Sequence, residues 1–200
     1  MLILTRQTLG VTLQKPRVVP YRAEWKTESA EMIDTLHAQL GELVVRIDHI
    51  GSTVIPSMTS KNVIDLQASV IDLEVATRAF DGPLAELGFQ RSPYRADHVP
   101  AGRDDDPGEW EKRLWTRHSP PMTGVNLHVR RVGSPNERLA LLFRDWFLAH
   151  PAAVPAYGAF KQSLAAVVDD TGVYADVKDP IVDLVIVAAE DWAARTGWKV

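Results

Sequence analysis

The chain has 200 residues, of which 46% are hydrophobic and 24% are charged, with a formal net charge of −4 and no cysteine. These values exclude the disordered, collagen-like and coiled-coil classes, a disulfide framework and a thiolate zinc site, and they predict one domain over residues 1–200. Because the sequence has no apolar run of about 18 residues, no signal-peptide pattern and a negative net charge, we expect a cytoplasmic protein that binds neither a membrane nor nucleic acids in general.

The first third of the chain predicts an extended arm or edge strand, then a helix, then two strands. These elements cover residues 2–19, 25–40, 44–50 and 63–70. The helix has apolar residues at helical spacing and ends at Gly41, a residue type typical of helix C-termini. In the second strand, apolar residues alternate with Asp65, Gln67 and Ser69, so these three side chains are expected to point to the opposite face.

The middle of the chain begins with a predicted helix. Asp72 can cap a helix that runs to about Phe80, and a separate short turn follows Asp81-Gly82-Pro83. Gly88 is expected to end this turn, and Phe89 to start another strand.

An irregular segment and a hairpin follow. Residues 91–109 mix Arg, Asp, Pro and Gly without periodicity, which predicts a mobile loop. Residues 111–118 and 125–131 predict a hairpin around residues 119–124. The second strand of this hairpin places three polar side chains on one face, namely Asn126, His128 and Arg130.

The last third of the chain predicts three helices. Their apolar stripes begin near Leu139, after Pro151 and near Pro180, and the third ends at about Ala194. The tryptophans on these stripes are expected to lie in the core. Because strands come first and helices cluster at the end, the pattern predicts an α/β core with a helical C-terminal layer.

The turn between the first two strong strands is a candidate site. Backbone N–H groups at Gly51 and Ser52 can approach a phosphate closely because glycine has no side chain, and Lys61 can add a positive charge. The alternative is a plain turn. Asp65 interrupts an apolar run, and a buried carboxylate requires a metal, a cation or hydrogen-bond donors. An ion pair with Lys61 or Arg113 is the structural alternative for Asp65.

Histidines and arginines near these strands have two interpretations each. His49 shares a face with apolar neighbours, which favours a hydrogen-bonded core residue over a ligand. His128 is either an acid–base or metal-binding residue of the site or a structural residue. Arg113, Arg117 and Arg130 form either a basic wall for phosphate or carboxylate groups or a solvated face of the hairpin.

The segment His49-Ile-Gly-Ser-Thr53, followed by Pro56, Lys61 and Val63-Ile-Asp65, resembles the motif of the GrpB family. Further matches cover most of the chain, namely Pro20-Tyr21 with Trp25, Leu127-His128-Val129, Phe143-Arg144-Asp145, Ala149-His150-Pro151, Tyr157 and Lys161. Two positions depart from the pattern, because Ser57 replaces a usual Gly and Asn62 a usual Pro. The ordered set identifies the chain, by resemblance, as a member of this family.

The resemblance implies a nucleotidyltransferase-like α/β fold, a mixed β-sheet flanked by helices with a helical C-terminal layer. In active enzymes of that fold, two or three carboxylates hold divalent metals that bridge a triphosphate. The resemblance therefore implies Asp65 as a catalytic residue and ligand of Mg²⁺, and His128 as a second catalytic residue. The implied substrate-binding residues are Gly51, Ser52, Thr53, Lys61, Gln67, Arg113, Arg117, Asn126 and Arg130. Gln67 stands where a second Asp would complete an Asp-x-Asp pair, which weakens metal binding.

Two functions follow from this resemblance. One is a nucleotidyltransferase-like enzyme that binds a nucleotide or another phosphorylated small molecule. The other is a catalytically degenerate module of the same fold that binds a small anionic metabolite or a partner protein. GrpB-like domains also occur fused to dephospho-CoA kinase, but this chain has no P-loop, so we expect no kinase activity from it alone. The sequence does not predict an oligomeric state.

Overall fold

The computed structural model describes residues 15–118 and 123–200. Its strands are β1 (Val18–Val19), β2 (Val44–Ile50), β3 (Ser60–Lys61), β4 (Val63–Val70), β5 (Gln90–Arg91), β6 (Lys112–Arg117) and β7 (Gly124–Arg131). Its α-helices are α1 (Glu24–Leu40), α2 (Leu73–Glu86), α3 (Pro135–Ala149), α4 (Val154–Val167) and α5 (Thr171–Thr196). Short 3₁₀ helices cover Gly41–Leu43, Pro107–Trp110 and Pro151–Ala153.

Five strands form a mixed sheet in the order β2-β4-β7-β6-β5. The central pair, β4 and β7, is parallel, whereas every other neighbouring pair is antiparallel. A separate two-stranded sheet pairs β1 with β3. Strand β1 belongs to the predicted N-terminal arm, of which residues 2–14 lie outside the described residues. This topology confirms the predicted α/β class with a mixed sheet.

One face of the sheet is apolar. It carries alternate residues of the two central strands, which are almost fully buried, namely Ile64, Leu66, Ala68, Val70, Val125, Leu127 and Val129. The helices α1 and α2 cover this face, and Trp25 and Phe80 belong to the same core. The apolar residues of β4 therefore alternate with polar ones because every second side chain points into this core.

The other face carries polar residues and lies under the C-terminal helices. The buried Glu137 of α3 accepts hydrogen bonds from the Ser69 hydroxyl at 2.6 Å and from the Gly133 backbone N–H at 2.7 Å. A second hydrophobic core joins α3, α4 and α5 with Ile55 and Met58 of the β2–β3 loop. The predicted helical C-terminal layer is thus confirmed, and it encloses the polar face of β4.

Two predicted helix bounds are wrong. The helix α2 continues through Pro83, whereas the sequence predicted a stop near Phe80. Phe80 and Leu84 on either side of this turn are both buried, and their packing offsets the lost N–H group. Asp72 caps the helix as predicted, because its carboxylate accepts the N–H groups of Glu74 and Val75.

The last helix also begins earlier than predicted. It starts at Thr171 and contains Pro180, where the sequence predicted its first turn. Asp170 is the cap, because its Oδ1 atom accepts the N–H groups of Gly172 at 2.8 Å and Val173 at 2.9 Å. The helix therefore gains nine residues at its N-terminus.

The predicted loop over residues 91–109 is largely irregular, as expected, and it is hydrogen-bonded to β6, whereas its mobility stays a prediction. The segment contains part of β5 and of the 3₁₀ helix Pro107–Trp110, and the Asp97 backbone N–H donates to the Trp110 carbonyl at 3.0 Å. The Asp97 carboxylate pairs with Lys112 and, at 2.9 Å, with Arg130. These buried ion pairs anchor the segment to β6 and β7.

Candidate functional site

Asp65 occupies the polar face of the sheet at the third position of β4. The Asn126 side-chain amide donates to Asp65 Oδ1 at 2.8 Å, and His128 Nε2 lies 3.6 Å from the same oxygen. Burial by itself would raise the pKa of Asp65, but its contacts with His128 and Asn126 and the charge of Lys61 outweigh burial and lower the pKa to about 2. Asp65 is therefore ionised at neutral pH.

Asn126 and His128, which contact Asp65, lie on one face of β7, as predicted. Side chains alternate between the two faces of β7, and in the parallel register Asn126 pairs with Asp65 and His128 with Gln67 of β4. Burial lowers the pKa of His128, and Asp65 opposes that effect. The imidazole is consequently neutral at pH 7 and can hydrogen-bond a ligand as donor or acceptor.

Gly51 follows β2 and packs directly against the Asp65 carboxylate. Its φ is 71°, and a Cβ atom at this position would lie 2.7 Å from Asp65 Oδ2. Both the backbone conformation and the contact require glycine. The half-buried Ser52 follows, and its carbonyl accepts the Ile55 N–H at 3.3 Å, which closes the turn.

Thr53 and His49 form the structural end of this turn. Thr53 is 1% exposed, and its hydroxyl lies 2.8 Å from His49 Nε2. Burial lowers the pKa of His49 to about 4, with Asp65 opposing this shift and Arg144 adding to it. The geometry favours the hydrogen-bonded core interpretation of His49, and Thr53 is directed to His49 by the same bond.

Lys61, four residues before Asp65, and two lysines of the C-terminal helices, Lys161 and Lys178, interact electrostatically with Asp65. Lys161 of α4 is 3% exposed, and its buried Nζ has no hydrogen-bond partner among the residues that the structure describes. Burial, with the charges of Lys178 and Lys61, lowers the pKa of Lys161 to about 7, and Asp65 opposes this shift. The charges of Lys61, Lys178 and Asp65 thus act together on Lys161.

Aromatic rings support two of these lysines. Lys161 Nζ lies 5.1 Å from the centre of the Tyr157 ring, and Lys61 Nζ lies 5.6 Å from that of Tyr174. Burial also lowers the pKa of Lys178. The nearest acids on its own helix, Asp179 and Asp183, lie 3.4 Å and 2.8 Å from the nitrogens of His98.

Lys161 and Lys178 were not predicted as site residues. The available signal for Lys161 was its place on the apolar stripe of α4, because Tyr157 and Leu164 lie four residues before and three residues after it. A buried lysine on such a stripe indicates a nearby anion or a functional role. Lys178 had no comparable signal, because its helix was predicted to begin after it.

Gln67 and Arg130, two predicted substrate-binding residues, belong to a buried structural network. Gln67 is fully buried, and its side-chain carbonyl accepts from Arg130 Nη1 at 2.6 Å. Its amide donates to the Glu137 backbone carbonyl at 3.2 Å, and Arg130 also donates to Asp97 at 2.9 Å. Both side chains are therefore held in place by protein contacts.

The predicted basic wall does not form, because Arg113 and Arg117 lie on the opposite face of the sheet from Arg130. In the β6–β7 register, Arg113 pairs with Val129 and Arg117 with Val125, both apolar-face residues. Arg113 bonds to Glu74, which excludes the predicted alternative of an Arg113 ion pair with Asp65. The Arg117 guanidinium stacks on Phe89 at 5.3 Å, a packing role.

The residues around Asp65 do not fit a two-metal magnesium site. Within residues 15–118 and 123–200, no group of three or more His, Cys, Asp or Glu side chains could hold a metal ion. Asp65 contributes one carboxylate, and the neighbours that Mg²⁺ would meet are an amide, an imidazole and lysine ammonium groups. We therefore assign no step to a metal.

The chain is similar in sequence to a protein family and to several known proteins. A family model described as GrpB protein matches residues 15–187. The dephospho-CoA kinase of Mycolicibacterium paratuberculosis is 34% identical over 197 residues, which cover 92% of this chain and 48% of that protein. The UPF0157 protein of Deinococcus radiodurans is 29% identical over 187 residues, covering 94% of this chain and 87% of that protein.

A solved structure shares the fold. The structure of the conserved protein GrpB from Enterococcus faecalis aligns with a TM-score of 0.70 at 23% identity, covering 88% of this chain and 99% of that one. By contrast, the chain spans about half the length of the dephospho-CoA kinases that it matches. No helix in the described part of the chain is long and apolar enough to span a membrane.

Proposed function

The chain belongs to the GrpB family, and we propose that it binds a phosphorylated small molecule, a nucleotide first among them, between β4 and the C-terminal helices. The observation that carries the proposal is Lys161, a buried ammonium group without a hydrogen-bond partner among the described residues. A buried charge is costly unless it is paired. An anionic ligand would supply the missing partner.

The charge balance of the cluster favours phosphate over a neutral or cationic group. Lys61, Lys161 and Lys178 act on one another, and Asp65 is the carboxylate that acts on all three. A phosphate offers several negatively charged acceptors that can contact more than one ammonium group at once. Binding of such a group raises the pKa of Lys161 toward its ordinary value, because the ligand stabilises the charged form.

The remaining residues of the cluster can orient the rest of the ligand. Asp65 is ionised and accepts hydrogen bonds, which suits a hydroxyl group such as that of a ribose. With a pKa of about 2 it is a weak base, so it serves as an orienting acceptor rather than as a general base. The Gly51–Ser52 backbone, in the turn after β2, and His128 of β7 lie beside Asp65 and can supply further ligand contacts.

Nucleotidyl transfer is the second candidate function, and the Asp65–His128 pair favours it, because the pair places a carboxylate and an imidazole 3.6 Å apart. The position of a second acid is occupied by Gln67, which is bound to Arg130 and to the Glu137 backbone. For this reason we place the binding function first. The expectation of Mg²⁺ stays a prediction from family resemblance.

The names of the relatives suggest one ligand for a binding experiment. Several are dephospho-CoA kinases, and dephospho-CoA is an adenine nucleotide with a diphosphate. This chain matches about half of each of those proteins and has no P-loop sequence. We therefore propose dephospho-CoA as a ligand to test, and we expect no phosphorylation of it by this chain alone.

Isothermal titration with dephospho-CoA, ATP, inorganic pyrophosphate and adenosine tests the proposal, each with and without Mg²⁺. We expect saturable binding of at least one phosphorylated compound, no binding of adenosine, and a loss of about tenfold or more in affinity in Lys161→Met. Lys26→Met, on an exposed position of α1, is the matched control and should bind normally. Absence of binding by all three phosphorylated compounds, or unchanged affinity in Lys161→Met, would overturn the proposal.

A further inference from the structure

Three arginines line a cavity at the edge of the sheet, away from the site at Asp65. The cavity has a volume of about 380 Å³ and is lined by Arg91, Ser92, Pro93, Arg95 and Arg113. It lies on the α2 side of β6, because Arg113 pairs in register with Val129 of the apolar face. Asp65 faces the other side of the sheet, so the two places are separate.

Arg113 is the buried member of this group. Its side chain is 4% exposed, although it carries a positive charge. Nη1 donates to the Lys112 carbonyl at 2.9 Å and Nη2 to Glu74, but the buried Nε has no hydrogen-bond partner in the described part of the chain. An unpaired buried donor is destabilising, because it loses its hydrogen bonds to water without gaining an acceptor in the protein.

The two exposed arginines are presented by a fixed backbone. The Ser92 N–H donates to the Leu114 carbonyl at 2.8 Å, and the Arg95 carbonyl accepts the Lys112 N–H at 2.8 Å. These bonds hold the segment after β5 against β6. The cavity wall is therefore preorganised, which reduces the entropy lost on binding.

The local charge is positive. Arg91 pairs with Asp81 at 3.1 Å, and Asp81 also accepts the Trp115 indole N–H at 3.1 Å. Glu74 pairs with Arg113 and is largely exposed. The cavity thus contains one arginine, Arg95, beyond the number that these two carboxylates balance.

We propose that this cavity binds a phosphate group through Arg113, Arg95 and Arg91. The proposal does not depend on the function proposed above. A guanidinium presents parallel N–H donors that match phosphate oxygens, and a tetrahedral phosphate has more acceptor oxygens and a higher charge than a carboxylate, so it can contact several guanidinium groups at once. The Arg113 guanidinium, which lines the cavity, supplies the buried positive charge, and the exposed arginines close around the ligand.

Nuclear magnetic resonance of the Arg113 Nε–H signal in the whole protein tests this site directly. Inorganic phosphate at constant ionic strength should shift the signal saturably, with half-saturation at or below about 10 mM. Arg95→Ala should weaken binding about fivefold or more, whereas Arg195→Ala, at an exposed position of α5, should leave it unchanged. Lys161→Met should also leave this shift unchanged, which separates it from the site at Asp65.

Acetate is the comparison anion. It should shift the Arg113 signal at least about threefold more weakly than phosphate, because it has fewer acceptors and a lower charge. Equal binding of acetate, an unsaturable shift with phosphate, or an Arg95→Ala variant that binds phosphate normally would overturn the proposal. Because Arg95 is exposed, its replacement leaves the fold intact and any loss of binding is attributable to the cavity.

Discussion

Gly51 and Asp65 are in contact across the β2–β4 pair, and the contact leaves no room for a side chain at position 51. A Cβ atom there would lie 2.7 Å from Asp65 Oδ2 and 3.1 Å from Asp65 Cβ. Because β2 and β4 are hydrogen-bonded neighbours, neither backbone can move away cheaply. The turn and the carboxylate therefore form one unit.

Gly51→Ala is expected to displace the Asp65 carboxylate. The variant should lose about 2–3 kcal/mol of unfolding free energy, since it combines a positive φ with a steric overlap, and it should bind the phosphorylated ligand more weakly. Urea unfolding and titration measure the two effects. Gly197→Ala is the control, because its φ of 70° is similar but no atom lies within 4 Å of its added Cβ. Equal losses in the two variants would show that only backbone strain acts at Gly51.

Lys161→Met should stabilise the free protein at pH 7 by about 1–3 kcal/mol, because it removes a buried charge from the hydrophobic side of α4. The pKa of Lys161 is lowered from 10.5 to about 7. Between these values the unfolded chain binds a proton that the folded chain does not, so the stability of the unmodified protein rises from pH 7 to pH 10.

The gain from Lys161→Met should accordingly shrink as the pH rises over this range. Urea unfolding at pH 7, 8.5 and 10 measures it, with Lys26→Met as the exposed control. A Lys161→Met variant that is less stable than the control at pH 7 would contradict the prediction.

Gln67→Asp should not create a magnesium site. Gln67 donates to the Glu137 carbonyl and accepts from Arg130, and an aspartate lacks the donor and is shorter. We expect a loss of about 1–3 kcal/mol in stability and no increase of the melting temperature with Mg²⁺. Gln67→Glu keeps the side-chain length, so the difference between the two variants measures the effect of shortening the side chain. Stabilisation of Gln67→Asp by Mg²⁺, absent from the unmodified protein, would instead support a degenerate two-carboxylate site.

Asp97→Asn should destabilise the protein by about 3–5 kcal/mol, because it leaves the buried cations of Lys112 and Arg130 without their carboxylate. Arg130 and Lys112 hold the pKa of Asp97 well below its usual range despite burial, so the pair persists in mild acid. Hydrogen exchange should also show earlier opening around residue 97. Asp104→Asn, at an exposed position of the same segment, should have little effect. Similar stabilities for the two variants would mean that the segment is not anchored by this ion pair.

His49→Gln should reduce the loss of stability in acid. The folded protein holds the pKa of His49 at about 4, below its ordinary 6.5, so the unfolded chain takes up the proton first as the pH falls. Stability should therefore decrease by about 2 kcal/mol between pH 6.5 and pH 4 through this residue. Urea unfolding at pH 7 and 4.5 should show a smaller difference for His49→Gln than for His37→Gln, an exposed control on α1. An identical difference in both variants would exclude His49 as the source.

Much of the fold could be predicted because it depends on local periodicity. The predicted bounds of β2 and β4 match the structure, and α1 begins one residue earlier than predicted. The Asp65 face of β4 and the Asn126–His128 face of β7 could likewise be predicted, because side chains alternate in any strand. Family resemblance then ordered these elements into a mixed sheet under a helical layer.

The sequence by itself determined which residues share a face within each strand, but not which faces coincide between strands. Strand register decides which faces coincide, and it placed Arg113 and Arg117 on the opposite face of the sheet from Arg130. Only the tertiary structure brought Lys161 and Lys178 to the side of the sheet that carries Asp65, because long-range packing joins residues about a hundred positions apart. Long-range packing also anchored Asp97 to strands that follow it and bound Gln67 to Arg130 and Glu137, since a buried polar group takes whatever partners the fold supplies.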